Sequence, residues 1–348
     1  MSIIDSALRS LHTLLQLPTN KSINIAGKRL LLLAPLSLAS ASFATITPLP
    51  QQNSFTIPSN MPTATPTSHP PHHPKHIVAF GDSLTSTTNG RWTDGPVWVE
   101  RVAASVGAKL DNSAWGGAVS GPVPGPDGTM IKGWVPSVLD QVDRWERSLS
   151  EHKKKLLREE DTVYVIWAGG NDYFQLAKHV PYPVTVQVVR NLMGAVLTTP
   201  SRVVGNLQTA LGRLVEGPTR ARHFLVFNLP PLDHVPLVTD NMPSALRPVI
   251  KGWVKYHNYR VSQISDWIRN TYGPGSASPV EGLTVTLVDV YSVMEDVVAN
   301  PNNYGFEHRD SRVEEPGYGR KGSERRLFYD LVHPSAWAHE KLAEVVVG

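Results

Sequence analysis

"HIVAFGDSLTSTTNG" spans residues 76–90. The apolar run Ile77–Phe80 reads as a buried strand, and Gly81-Asp82-Ser83-Leu84 ends it. A glycine, an acid and a hydroxyl at the end of a buried strand have two readings. One is a plain turn; the other is a nucleophile held at the mouth of a sheet. The pattern of the remaining chain separates them.

From His76 onward, strand-like and helix-like segments alternate. "GPVWVERVAASVG" (95–107) carries Val97, Val99, Val102 and Val106 near helical spacing, and "VPSVLDQVDRWERSL" (135–149) reads as a second helix. The Lys153-Lys154-Lys155 run beyond it reads as a solvated helix end, where cations suit the dipole. A short strand falls near "AKLDNSA". "DTVYVIWAG" (161–169), "HFLVFNL" (223–229) and "LTVTLVDV" (283–290) are β-branched strands. A helical stretch is expected from Pro183 to Val215 with a break at Pro200, either a lid over a lipid pocket or a packing layer. Another is expected over 244–272, and a last one from Pro334 to Val347. Strands rich in Val and Ile with helices between them predict a mainly parallel sheet covered on both faces.

Bulk composition is compatible with one large domain. Hydrophobic residues make up 41% and charged residues 18%, which allows a substantial core. The net charge of +3 comes from the N-terminal segment 1–44, which holds Arg9, Lys21, Lys28 and Arg29 against Asp5 alone. The rest is electrically neutral, so there is no electrostatic case for a nucleic-acid partner. With no cysteine, disulfides, thiolate catalysis and Cys-ligated zinc are excluded.

Residues 1–44 end in Lys28-Arg29 and "LLLLAPLSLASASFA", a basic flank, an apolar run and small residues. That order reads as a secretory signal, and export is the expectation. The apolar run falls short of the roughly 20 residues that a membrane span needs, so membrane attachment is expected only if the segment stays uncleaved. Residues 45–75 are rich in Pro, Ser and Thr and read as a disordered linker. His69, His72, His73 and, just past its end, His76 have no acidic ligand and no rigid frame beside them, and no metal site is expected. The remaining 76–348 form the folded domain, expected to be a monomer.

In a parallel α/β sheet, ligands gather at the carboxyl ends of the strands. The residues just past each strand are therefore informative. Ser83 comes after the first. Trp115-Gly116-Gly117 comes after the second. Gly170-Asn171-Asp172 comes after "VYVIWAG", and Asp330 and His333 occur in "YDLVHP" near the C-terminus.

These types fit one chemistry. A serine hydroxyl needs a neighbouring base, and the imidazole of His333 suits that task. Asp330, three residues earlier, is within reach to fix its tautomer and orientation. An oxyanion needs donors set in advance, and candidates are the Ser83 N–H at a helix start, the Gly117 N–H and the Asn171 amide. Asp82 and Asp172 read as hydrogen-bond acceptors that brace loops. Taken singly, Gly-Asp-Ser is a common turn string, and Asp330 with His333 also reads as a helix cap ahead of Pro334 or as half of a metal site, for which no third ligand stands out. The Gly-x-Ser-x-Gly elbow is excluded, because Thr85 stands where its second glycine would be.

The same residues carry a resemblance. Ser83 in "FGDSL", Gly117 in "NSAWGGA" (with Gly116 as neighbouring alternative), Asn171 in "GGND", and Asp330 with His333 in "DLVHP" resemble the blocks of the SGNH, or GDSL, hydrolases. "GRWTDGPVWVERVA" (90–103), "NLPPLDHVP" (228–236) and "DVYSVMEDVVANPNNYGF" (289–306) are similar to the branch of GDSL-type lipases, haemolysin-like phospholipases and carbohydrate acetyl esterases. Trp115 departs from the pattern, in a slot where a smaller residue is expected. The resemblance implies a flavodoxin-like three-layer α/β/α sandwich and acyl transfer through Ser83, Asp330 and His333, with no metal or organic cofactor. The implied substrate is a saccharide or lipid ester, with short-chain or acetyl esters of carbohydrates favoured. A catalytically silent polysaccharide binder on the same scaffold is the alternative of another class. Trp92, Trp115, Trp134, Tyr173 and Phe174 lie in or just after these blocks, where an aromatic face suits a sugar ring or an acyl chain.

Overall fold

The computed structural model describes residues 74–124, 130–131, 135–178, 186–242, 244, 247–307 and 325–347, with the backbone of two short strands, Ile23–Ile25 and Lys28–Leu30. The signal-like reading, the linker through residue 73 with its three histidines, and Trp134 otherwise lie outside the described residues.

Five strands form one sheet: β1 His76–Gly81, β2 Lys109–Asn112, β3 Thr162–Trp167, β4 His223–Phe227 and β5 Thr284–Val288. Their order is β2-β1-β3-β4-β5 and every pairing is parallel. The helices are α1 Trp98–Val106, α2 Val138–Arg147, α3 Glu151–Leu156, α4 Gly170–Lys178, α5 Val186–Glu216, α6 Pro236–Asn241, α7 Arg247–Ser262, α8 Ile264–Tyr272, α9 Val290–Ala299 and α10 Ala336–Val347. This is the doubly wound α/β/α sandwich.

The period-two alternation of strand side chains divides the core into two layers. Ile77, Ala79, Val163, Val165, Trp167 and Phe227 face α1, α9 and α10, with Trp98 at the centre. Val78, Phe80, Tyr164, Ile166 and Phe224 face α2, the second half of α5, and α8. Both faces of β1 and β3 are buried, which explains their near-continuous apolar runs. Each fully buried large side chain contributes about 1.5–3 kcal/mol.

The chain winds from β1 outward to β2 and then returns across β1 to β3. The order reverses between β1 and β3, and in open parallel sheets ligands bind outside the carboxyl ends of the strands at such a switch point. Ser83 follows β1 and Asn171 follows β3, so this topology sets both at one rim.

Three sequence expectations need correction. The helix expected to break at Pro200 continues through it as α5. Proline removes one backbone donor, but Val203, Val204, Leu207, Leu211 and Leu214 beyond it are buried and hold the helix to the sheet. The stretch 244–272 is two helices, interrupted at Gln263. Ser83 does not open a helix: Thr85 and Ser86 N–H both donate to the Asp82 carbonyl (3.1 and 2.9 Å), closing a single turn. Of the two readings of α5, lid or packing layer, its described second half is a packing layer. Among the described residues no helix is long and apolar enough to cross a membrane.

Candidate active site

β1 ends deep between its neighbours. Gly81 pairs with Trp167 of β3, whereas β2 reaches only as far as Ala79. A Cβ on Gly81 would lie 2.4 Å from the Trp167 carbonyl oxygen, so only glycine fits. Past it, the Asp82 N–H donates to the Trp167 carbonyl (3.2 Å), and the Asp82 Oδ1 accepts the Leu84 N–H (3.0 Å). The chain turns sharply about Asp82 and presents Ser83.

Asp330 and His333 arrive on a loop closed by an isolated bridge between Phe328 and Pro334. Asp330 Oδ1 accepts the N–H of Val332 (2.8 Å) and of His333 (2.7 Å), which winds the loop around the carboxylate. Asp330 Oδ2 accepts the His333 Nδ1–H at 2.6 Å. With Nδ1 protonated, Nε2 is the ring's acceptor, and Ser83 Oγ donates to it at 2.8 Å. Ser83 and His333, separated by 250 positions of chain, thus stand in line with Asp330. Burial pushes the Asp330 carboxyl up, but the His333 ring and the two backbone donors outweigh it and hold it below the ordinary carboxylate range.

The far end of this loop is anchored. Asp94 Oδ1 accepts the Ala336 N–H (2.7 Å) at the start of α10, and His339 Nδ1 accepts the Trp98 N–H (3.3 Å) from α1. Arg101 pairs with Glu340 at 2.7 Å.

Gly117 follows β2 in a tight turn with φ of 86°, a left-handed conformation that favours glycine. The backbone donors around it are engaged. Gly116 N–H donates to Asn89 Oδ1 (2.8 Å) and Ala118 N–H to the Trp115 carbonyl (3.0 Å). The same holds for Asp82 and Leu84 around Ser83. The N–H groups of Ser83 and Gly117 themselves have no acceptor among the described residues. Asn171, in the first turn of α4, gives one amide hydrogen to the Ala118 carbonyl (3.1 Å) and keeps a second. Backbone N–H groups and a side-chain amide are the donor types that can receive an oxyanion.

This turn is braced from below. Asp172 is fully buried and accepts from both the N–H and the hydroxyl of Ser120, each at 2.8 Å. Asn206 Nδ2 donates to Ser120 Oγ (2.9 Å). Arg202 donates to the Pro122 carbonyl (3.0 Å) and stands 3.5 Å from Asp172. Burial pushes the Asp172 carboxyl up to about 6, against the pull of Arg202 and Ser120. Asp82 is pushed up to about 7, again by burial, against the Leu84 N–H and the His333 charge. Both acids are the loop braces expected from sequence.

Gln141, Asn89, Arg202 and Asn206 were not singled out from sequence. Gln141 carried a signal: it lies on the apolar stripe Val138, Val142, Trp145 of α2, where a buried polar residue needs partners. Of the aromatic residues, Trp92 lies against the His333 ring, Trp115 is half-buried in the Gly117 turn, and the Tyr173 hydroxyl meets His257 Nδ1 at 3.1 Å. Among the described residues no group of three or more His, Asp or Glu side chains is arranged to hold a metal ion.

The chain is similar to known proteins. The thermolabile hemolysin of Vibrio parahaemolyticus is 22% identical over 302 residues, covering 77% of this chain and 62% of that protein. A GDSL esterase/lipase of Medicago truncatula is 22% identical over 245 residues, covering 66% of this chain and 63% of that one. The chain thus spans less than two thirds of the length of either curated relative. Phospholipase A1 from Streptomyces albidoflavus superposes with a TM-score of 0.44 at 15% identity, over 79% of this chain and 98% of that one. The model of the GDSL-like lipase/acylhydrolase family matches residues 77–346, from β1 to the last turn of α10, and the chain belongs to that family.

Proposed function

We propose that this protein is a serine ester hydrolase that acts on short-chain esters, with acetyl esters of carbohydrates as the preferred class. The observation that carries the reading is the line Ser83 Oγ, His333 Nε2 (2.8 Å), His333 Nδ1, Asp330 Oδ2 (2.6 Å), set beside N–H groups that have no acceptor among the described residues. In the first step Ser83 Oγ bonds to the ester carbon and its proton passes to His333 Nε2. The negative charge gathers on the carbonyl oxygen, where the Ser83 and Gly117 N–H groups and the Asn171 amide receive it. Collapse breaks the bond to the alcohol oxygen, which takes the proton from Nε2. Water then repeats the sequence and frees the acid, leaving Ser83 as it began. Asp330 stays ionised throughout and holds the imidazolium.

The test is turnover of p-nitrophenyl acetate by the purified protein and its variants. Ser83→Ala and His333→Ala should each lose at least about a thousandfold in kcat while keeping the fold, and a fluorophosphonate should label Ser83 stoichiometrically. Full activity in Ser83→Ala overturns the reading. Full-length folded protein that neither turns over esters nor takes the label supports the silent binder instead.

A lipid ester is the second reading, and one observation favours it. Leu331, between Asp330 and His333, is 40% exposed and offers an apolar contact at the rim. A rate series over acyl length separates the two. Export is part of the proposal and rests on the segment 28–44; sequencing the N-terminus of the mature protein checks it.

A further inference from the structure

Trp92 is placed unlike the tryptophans of the core. Trp98, Trp145 and Trp167 are buried, whereas Trp92 is 36% exposed. Its ring centroid lies 5.4 Å from that of His333, with the planes 32° apart. Its other border lies over the glycine turn: a Cβ on Gly116 would fall 1.9 Å from the indole Nε1. The indole therefore extends from the catalytic imidazole to the turn that carries Gly117, and part of it faces solvent. The charges beside it in sequence are engaged elsewhere. Arg91 binds Glu100 (2.6 and 2.9 Å), and Asp94 holds the start of α10. What remains at this position is a flat, neutral, apolar surface.

The chemistry says which half of an ester passes over it. His333 Nε2 protonates the departing alcohol oxygen, so the alcohol leaves on the imidazole side, away from the donors that hold the carbonyl oxygen. We infer that Trp92 is the platform for the alcohol half of the substrate, and that it selects a neutral ring alcohol, a pyranose laying its C–H face on the indole. This rests on the ester-hydrolase reading above. It adds that selectivity for the alcohol is set by one side chain that takes no part in the acyl transfer itself.

The experiment compares kcat/KM for a monoacetylated methyl xylopyranoside, glycerol monoacetate and methyl acetate, in the wild type and in Trp92→Ala, Trp92→Leu and Trp92→Phe. The ratio of xyloside ester to methyl acetate cancels any general effect on Ser83 or His333. That ratio should fall about tenfold in Trp92→Ala and Trp92→Leu, the size of one lost stacking contact plus its buried area, and recover in part in Trp92→Phe. The acetyl-enzyme should also pass less acetyl to added methyl xylopyranoside, relative to water, in the alanine variant. An unchanged ratio in either folded, active variant overturns the platform. So does an equal loss for glycerol monoacetate, which has no ring. A variant that fails to fold leaves the test to the other two. Absence of turnover of all three esters by the wild type is a different result, and it removes the ester-hydrolase reading itself.

Discussion

Gln141 holds Gly81 by both of its backbone groups: Oε1 accepts the Gly81 N–H at 2.9 Å and Nε2 donates to the Gly81 carbonyl at 2.9 Å. β2 stops two residues short of this point, so the last residue of β1 lacks a strand partner on that side. A side chain from α2 takes the place of the missing strand, two residues before Ser83. The Gly81 carbonyl has a second donor in the Trp115 N–H (3.1 Å), but among the described residues its N–H has only Gln141. Gln141→Leu should therefore destabilise the fold by about 1–3 kcal/mol, the cost of one orphaned buried donor. It should also lower kcat, because the turn that presents Ser83 loses its anchor. Urea unfolding measures the first, and a loss under about 0.5 kcal/mol contradicts the anchoring role.

In the proposed mechanism Asn171 serves the developing oxyanion more than the bound ester. Before the reaction begins, the amide already serves the Ala118 carbonyl, so its second hydrogen gains most when charge develops on the substrate oxygen. Asn171→Ala should reduce kcat by about 10²–10³ and change KM little, the pattern of a donor used mainly in the transition state. Steady-state kinetics on one acetyl ester suffices. A rise in KM at constant kcat would instead mark Asn171 as a ground-state contact.

Much of this arrangement was legible because β1 and β3 are buried on both faces, which forces apolar runs whose ends are conspicuous. Ser83 and Asn171 stand at such ends, and Gly117 stands past the shorter β2. Asp330 and His333 were legible by their spacing, although among the described residues the loop that carries them directly follows no strand of the sheet. Less visible was the start of α4: Gly170-Asn171-Asp172 reads locally as a turn, and only the helix beyond makes it an N-terminus. Pro200 misled for the converse reason, since local propensity was overruled by packing. Arg202 and Asn206 act across 80 or more positions on Pro122 and Ser120, and no local pattern announces a contact at that separation.

Arg202 gives a prediction about pH. Its guanidinium opposes the burial that raises the Asp172 carboxyl to about 6. The ionised carboxylate accepts both Ser120 donors and so steadies the turn that carries Gly117. Arg202→Met removes the opposing charge, and the Asp172 carboxyl should move further up. Protonation then reaches the brace at a higher pH. The acid limb of the kcat profile should shift upward relative to the wild type, with little change on the alkaline side. A uniform loss of kcat at every pH would assign Arg202 to packing alone.

Asp82 offers the cleanest linkage test. Burial raises its carboxyl from 3.8 to about 7, and the Leu84 N–H and the His333 charge only partly oppose this. The folded state thus binds this proton more tightly than the unfolded chain does. By linkage, the group's contribution to stability is complete below about pH 4 and is lost as pH rises through about 7. Asn at this position stays neutral at every pH, and its carbonyl oxygen still accepts the Leu84 N–H. Asp82→Asn should therefore gain stability relative to the wild type as pH goes from about 4 to about 8. Urea unfolding at several pH values reads the difference directly, and background titrations common to both proteins cancel. A difference that is flat with pH would mean that Asp82 ionises as readily in the fold as in the unfolded chain. Water would then reach the carboxylate behind Ser83, against its burial in the fold.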